Sequence, residues 1–108
     1  MRELEARWKE RWGKEAPVIE CGYGWDDLLL ALDDELVKLD PTYLLYQVKE
    51  KFGGLRFYAA YDTNVSNKFH DLIAAAEEKS FSICESCGEP GECIVRHGWY
   101  VTRCEACL

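Results

Sequence analysis

Two cysteine pairs near the end of the chain limit what it can fold into more than any other feature. Cys84 and Cys87 form one Cys-x-x-Cys turn, and Cys104 and Cys107 form a second one after sixteen intervening residues. This spacing is typical of two knuckles that hold a tetrahedral Zn²⁺, since each turn presents two sulfurs on one side of a tight loop. Four thiolates leave no open position for a substrate or water, so we expect one structural zinc ion per chain. The segment between the pairs predicts a two-stranded ribbon.

Three further side chains suggest metal or thiol chemistry more weakly. Cys93 and His97 lie between the two pairs, so a Cys₃His set that replaces one knuckle sulfur is an alternative. The competing interpretation is a half-buried thiol and a histidine at the end of a hairpin. Cys21 lies in a glycine-rich turn with no histidine near it in sequence, which gives no support for a nucleophile.

Apolar residues at helical spacing predict two helices in the first part of the chain. Leu4, Trp8 and Trp12 recur every four residues, which predicts a helix over residues 2–14. A second helix begins at about Asp26, carries a leucine stripe and ends before Pro41. The acidic side chains that we expect on its solvent-facing side are Asp33, Asp34 and Glu35.

The pattern changes to a period of two over residues 43–61, which predicts a β-hairpin around Gly53 and Gly54. Tyr46 and Val48 are expected to share one face of its first strand. Ser66 is the expected cap of a third helix that runs to about residue 80. The apolar residues predicted on the buried side of that helix are Phe69, Leu72, Ile73 and Ala76.

Together these elements predict an α+β fold with a helix-helix-β-hairpin-helix core over residues 1–82 and a C-terminal zinc ribbon over residues 83–108. The net charge is −7. A strongly acidic chain is repelled by phosphates and by anionic membrane surfaces, so general DNA binding and membrane binding are not expected. The chain lacks an apolar run of about 18 residues and the apolar core of a signal peptide, so we expect a cytoplasmic protein. In a reducing cytoplasm the six cysteines are not expected to form disulfides.

The hairpin is the one place where cations, paired glycines and aromatic rings coincide. Glycines allow close approach, basic side chains can hold phosphate, and aromatic rings offer a stacking face. The predicted ligand is therefore an anionic small molecule with a ring, such as a nucleotide. The residues predicted to bind it are Lys49, Lys51, Phe52, Gly53, Gly54, Arg56 and Tyr58, with His97 and Trp99 of the ribbon as helpers.

Other interpretations of these features stay open at this point. The hairpin cations could simply pair with the acidic second helix, whose segment 16–46 sums to −6 against +2 for residues 47–61. The acidic helix could make the protein an interaction adaptor that inhibits a host protein, or its carboxylates could support a metal-dependent hydrolase. We expect a non-enzymatic binding protein, and the unpaired edge of the hairpin favours a homodimer.

Several motifs carry a resemblance to a known group of proteins. They are Gly24-Trp-Asp-Asp-Leu-Leu, Gln47-Val-Lys-Glu-Lys-Phe-Gly-Gly-Leu-Arg-Phe-Tyr58, Cys84-Glu-Ser-Cys-Gly-Glu-Pro-Gly91, Gly98-Trp99 and Thr102-x-Cys104. Over about residues 22–107 the chain resembles an uncharacterised family of small bacterial and phage proteins with a zinc-binding tail. The resemblance implies the kind of organism or phage that the protein comes from, but it implies no specific activity. For a phage protein it would favour sequestering a nucleotide messenger of host defence, in the host cytoplasm.

Overall fold

The computed structural model describes residues 2–13 and 17–108, and in that part of the chain it shows a mixed α+β fold with three helices and two small sheets. The helices and strands are α1 (Glu3–Trp12), β1 (Val18–Glu20), α2 (Asp26–Leu39), β2 (Leu44–Lys51), β3 (Gly54–Ala60), α3 (Ser66–Ser80), β4 (Glu92–Arg96) and β5 (Trp99–Arg103). This order follows the predicted one, with β1 as an added strand. Lys14 and the side chain of Trp12, which belong to the predicted first helix, lie outside the described part. None of the described helices is long and apolar enough to cross a membrane.

Helix α1 neutralises much of the acidic charge on helix α2. Arg7 contacts Asp34 at 2.7 Å, and Arg11 contacts Asp33 at 2.9 Å. Asp33 is fully buried, and Tyr43 donates its hydroxyl hydrogen to the same carboxylate. The prediction that Asp33 faces solvent is therefore wrong, because α1 and Tyr43 supply the partners that a buried carboxylate needs.

Three strands form the main sheet in the order β1–β2–β3. Strand β1 runs parallel to β2, and the sequence does not predict it because three residues carry too little of a period-two pattern. Strands β2 and β3 form the predicted antiparallel hairpin. A register shift between Leu45 and Gln47 takes Tyr46 out of the pairing, so Tyr46 is exposed whereas Val48 is buried. The prediction that these two side chains share a face is wrong, because the bulge inserts one residue into the alternation.

Helix α3 packs its apolar side against the sheet and closes the outer edge of β3. The predicted residues that are buried there are Phe69, Ile73 and Ala76. At the edge, Ser80 Oγ accepts a hydrogen bond from the Leu55 N–H at 2.9 Å. Glu77 Oε2 accepts one from the Phe57 N–H at 3.0 Å. The hairpin edge expected to favour a homodimer is therefore occupied by side chains of α3 at these two positions.

The start of α3 differs from the prediction. Ser66 is the first residue of the helix rather than its cap. A short 3₁₀ turn, Thr63–Val65, precedes the helix, and Asp62 accepts a hydrogen bond from the Asn64 N–H at 2.8 Å. Asp62 therefore caps the 3₁₀ turn, whereas Val65, the residue before α3, makes no side-chain cap.

The last part of the chain, residues 83–108 and here called the cysteine tail, packs against the turn that precedes α2. Trp25 is fully buried, and its Nε1 donates a hydrogen bond to the Ile83 carbonyl at 2.9 Å. The Gly24 N–H donates to the Glu85 carbonyl at 2.7 Å. A Cβ on Gly24 would lie 2.1 Å from the Cys84 carbonyl oxygen, so only glycine fits there. Hydrogen bonds therefore cross the predicted boundary between residues 82 and 83.

Candidate metal centre and the adjoining binding surface

The four cysteines of the two pairs meet at one point of the cysteine tail. The Sγ atoms of Cys84, Cys87, Cys104 and Cys107 all lie within 4.8 Å of one another. The sulfurs of Cys87 and Cys104 are 3.5 Å apart. A tetrahedral centre with metal–sulfur bonds of about 2.3 Å needs sulfurs about 3.8 Å apart. The donor set therefore fits one tetrahedral metal ion, as the cysteine spacing predicts.

Tight backbone turns bring the two pairs into position. In the first turn the Gly88 N–H donates to the Cys84 carbonyl at 2.9 Å. Gly88 has a φ of +85°, a conformation that a side chain would strain. In the second turn a 3₁₀ segment, Glu105–Cys107, lets the Cys107 N–H donate to the Cys104 carbonyl at 3.1 Å. Backbone hydrogen bonds therefore close both turns that carry the sulfurs.

The surroundings of the sulfurs shift the thiol pKa values in opposite directions. Burial of Cys84 opposes ionisation, but the N–H of Cys104 and N–H groups of the first knuckle donate to its sulfur and lower its pKa to about 6. Hydrogen bonding with Cys104, followed by that with the other two sulfurs, raises the pKa of Cys107 to about 12. Four thiolates this close repel one another, and a divalent cation removes that repulsion.

The other thiols and His97 lie outside this group of four sulfurs. Cys93 Sγ lies 3.9 Å from the Phe52 carbonyl oxygen, where the tail meets the hairpin. His97 is exposed in the turn between β4 and β5, with a φ of +51°. Burial raises the pKa of Cys21 to about 11 despite the nearby Arg2 guanidinium, which keeps this thiol protonated at neutral pH.

Part of the predicted ligand site lines a groove between the hairpin tip and β5. Lys51, Phe52 and Trp99 border this groove, which has a volume of about 590 Å³ and is here called the tip groove. Phe52 is 64% exposed and Trp99 is 75% exposed. Tyr100 also borders the groove, and its ring centroid lies 6.2 Å from that of Phe52 in an edge-to-face arrangement. Side chains that are distant in sequence thus surround one open space.

The remaining predicted cations lie on the solvent-facing side of the main sheet. The hairpin register pairs Lys49 with Arg56, and the Lys49 ammonium lies 5.6 Å from the centroid of the Tyr58 ring. Arg56 and Tyr58 also border a second groove of about 470 Å³ beside α3, here called the sheet groove. Among the ion pairs of the described residues, none involves Lys49, Lys51 or Arg56. The interpretation that these cations pair with the acidic helix is therefore wrong, since α1 supplies its partners.

The paired glycines lie under the cysteine tail. Thr102 is fully buried, and its hydroxyl donates a hydrogen bond to the Gly53 carbonyl at 2.6 Å. A Cβ on Gly53 would lie 2.9 Å from Cys93 Sγ, and one on Gly54 would lie 2.3 Å from the Phe81 ring. The close approach to Gly53 is therefore made by the cysteine tail, and the close approach to Gly54 is made by Phe81, which precedes the tail. The tip groove opens beside the glycines rather than over them.

Sequence reasoning missed Tyr100 and Thr102. The alternation along β5 places both on one side of that strand and Trp99 on the other. This alternation could have grouped Tyr100 with Thr102, but nothing in the sequence indicates that their side of β5 meets the hairpin.

The acidic helix contributes no metal site. Within residues 2–13 and 17–108, the four cysteines form the one group of three or more potential metal ligands that the structure brings together. Asp26 is paired with Arg2, which precedes α1, and Asp33 and Asp34 are paired with arginines of α1. The hydrolase alternative gains no support from this geometry.

Comparison of the chain with protein-family models, with curated proteins and with solved structures gives no significant match. The expected resemblance to small bacterial and phage proteins stays a prediction. The function is therefore inferred from the chemistry of the cysteine centre and of the two grooves.

Proposed function

We propose that the protein is a non-enzymatic binding module whose cysteine tail is a zinc ribbon with one structural Zn²⁺. Its ligand is an anionic small molecule with a ring, such as a nucleotide, and it binds in the tip groove. The observation that carries the proposal is the convergence of Lys51, Phe52 and Trp99 on one open groove. These residues come from two separate segments that the cysteine tail brings together.

Zinc suits the four-sulfur centre. A tetrahedral set of four thiolates is typical of zinc and of iron–sulfur proteins. Zinc with four protein sulfurs has no open position and acts as a structural ion. Such thiolates require a reducing compartment, which agrees with a cytoplasmic protein. Native mass spectrometry should find one zinc ion per chain, and visible absorbance from bound iron would contradict this assignment.

The tip groove has the two features that an anionic ligand with a ring requires. The exposed rings of Phe52 and Trp99 offer faces on which a base can stack. The Lys51 ammonium lies 5.6 Å from the Phe52 centroid, so a phosphate on a stacked base would meet a positive charge. Glu50 also borders the groove, but its carboxylate already accepts a hydrogen bond from the Gly53 N–H at 2.7 Å.

The adaptor alternative has less support. It needs the acidic side of α2 to attract a basic partner, but Asp26, Asp33 and Asp34 already contact arginines in or just before α1. Their charge is therefore largely neutralised within the chain. The hairpin cations, by contrast, remain available to an anion.

Nucleotides should raise the melting temperature of the protein in a manner that depends on the tip groove. At a ligand concentration a hundredfold above Kd the stabilisation is about 2.7 kcal/mol. Phe52→Ala and Trp99→Ala should each remove most of this response, because each removes a stacking surface. The measurement is a thermal-shift series with mononucleotides, followed by calorimetric titration.

Tyr23→Ala is the matched control for these variants. Tyr23 is an aromatic residue with 70% exposure, comparable to Trp99, and it borders neither groove. Its replacement should leave the nucleotide response unchanged. A response that is equally strong in Phe52→Ala and Trp99→Ala would contradict the assignment of the tip groove.

A further inference from the structure

Two aromatic sites accompany the lysines of strand β2. The first is the tip groove, where Lys51 accompanies Phe52 and Trp99. The second is Tyr58, which is 43% exposed and has the Lys49 ammonium 5.6 Å from its ring centroid. Ligand binding in the tip groove alone would leave the second aromatic site, Tyr58, without a role.

The distance between the two aromatic sites follows from the strand geometry. Lys49 and Lys51 are two residues apart on β2, so their side chains leave the same side of the sheet about 7 Å apart. The register pairs Tyr58 with Gln47, two residues further along the same side. Tyr58 therefore lies about 13 Å from Lys51 along β2.

Two positively charged side chains lie between the two aromatic sites. Lys49 and Arg56 face each other across the hairpin, midway between Lys51 and Tyr58. Directly opposed side chains have Cβ atoms about 5 Å apart, so one phosphate can contact both cations. The platform thus has the order ring, cations, ring.

The volumes and the surrounding charge limit the size of the ligand. The tip groove and the sheet groove measure about 590 and 470 Å³, so one base with its sugar would leave one of them empty. A long polyanion is disfavoured, because Glu20 pairs with Lys49 in the sheet register and Glu77 borders the sheet groove. The net charge of −7 acts in the same direction.

We infer that the ligand is a dinucleotide, with one base in the tip groove, the other on Tyr58, and the linking phosphate between Lys49 and Arg56. This inference rests on the proposed function and specifies the ligand class for it. Stacking of the second base accounts for the exposed Tyr58, and the phosphate accounts for two cations that have no ion-pair partner among the described residues.

The test is a calorimetric comparison of four adenylate and four guanylate probes. Each series contains the mononucleotide, the linear 3′–5′ dinucleotide, the cyclic dinucleotide and a single-stranded 20-mer. The linear or the cyclic dinucleotide should bind roughly 5- to 150-fold more tightly than the mononucleotide, as expected for one added stacking contact. The 20-mer should bind no more tightly than the better dinucleotide.

Tyr58→Ala should remove this advantage, whereas Phe52→Ala should weaken the binding of the mononucleotide and of the dinucleotides. Tyr23→Ala should change neither, and thermal melting should show that all three variants are folded. Equal affinity for mononucleotide and dinucleotides, an advantage that survives Tyr58→Ala, or affinity that keeps rising to the 20-mer would each overturn the inference while leaving the tip groove intact. No binding of any probe would overturn the proposed function together with it.

Discussion

Replacing Cys84 with serine should release the metal and destabilise the whole chain, not only the cysteine tail. Cys84 is fully buried, and its own knuckle carries the contacts with the turn before α2. The hydrogen bonds Trp25 Nε1 to Ile83, Gly24 to Glu85 and Gly22 to Glu85 bind this knuckle to the core. At about 1 kcal/mol each they contribute about 3 kcal/mol.

A loss of that size should lower the melting temperature by about 12–20 °C in a protein of this size. Circular dichroism would follow the helices of the core, and native mass spectrometry would follow the zinc content. Chelation of the metal from the unaltered protein should reproduce the same change, because metal binding contributes folding free energy.

Cys93→Ser is the matched control for this experiment. Cys93 belongs to the same tail but lies outside the group of four sulfurs. The variant should keep one zinc ion and should melt within a few degrees of the unaltered protein. If Cys84→Ser lost its zinc while the helices melted at the original temperature, the cysteine tail would be an independent appendage and the interface described above would contribute little.

Replacing Asp33 with asparagine should destabilise the protein by about 3 kcal/mol. The Asp33 side chain is 1% exposed, and it contacts Arg7, Arg11 and Tyr43. Removing one partner from a buried ion pair costs about 3–5 kcal/mol, because the other charge is left uncompensated. The arginines keep some solvent contact, with Arg11 24% and Arg7 30% exposed, so the lower end of that range applies. Urea unfolding measures the difference.

Asp34→Asn provides the comparison on the same helix. Asp34 contacts Arg7 at 2.7 Å, but its side chain is 59% exposed. An exposed ion pair contributes less than about 1 kcal/mol to stability. The unfolding free energy of this variant should therefore stay close to that of the unaltered protein. Similar losses in the two variants would show that burial of Asp33 is not what makes its ion pairs important.

The Asp33 carboxylate should also make the stability of the protein depend on pH. Burial opposes the charge of Asp33, but hydrogen bonds from Arg11 and Tyr43, together with the arginine charges, hold its pKa below the ordinary value. The unfolded chain therefore binds a proton at a higher pH than the folded chain does. Stability from Asp33 is fully present above about pH 5 and is lost as the pH falls through 4 and below. The difference in unfolding free energy between the unaltered protein and Asp33→Asn should shrink over that interval, and a constant difference would contradict the shift.

The cysteine centre was predictable because its information is local. Each Cys-x-x-Cys turn sets its own two sulfurs within four residues, and one metal requires the two turns to meet. The hairpin and the third helix were predictable for a similar reason, since a period of two or of 3.6 repeats over a dozen residues or more. The sequence alone thus determined the α+β class, the four cysteines that cluster and the basic side of the hairpin.

Contacts between distant segments required the tertiary structure. Asp33 belongs to an acidic run that looks solvated, and only the packing of α1 shows that it is buried with Arg11. Gly53 looks like a place for a ligand to approach, but Thr102 of the cysteine tail occupies it. No periodicity in the sequence encodes such contacts between distant segments, because they depend on which surfaces the folded core leaves exposed.

The cysteine motif therefore determined a cluster of four sulfurs that could hold a metal ion, while the fold decided how that cluster contacts the rest of the protein. The cysteine tail folds back onto the hairpin, and this placement brings Trp99 and Tyr100 beside Phe52. The tip groove exists only in that arrangement, because its two sides belong to segments that a local pattern cannot relate. The sequence alone predicts a site whose residues are neighbours in the chain. Tertiary packing determines a site whose residues come from distant segments.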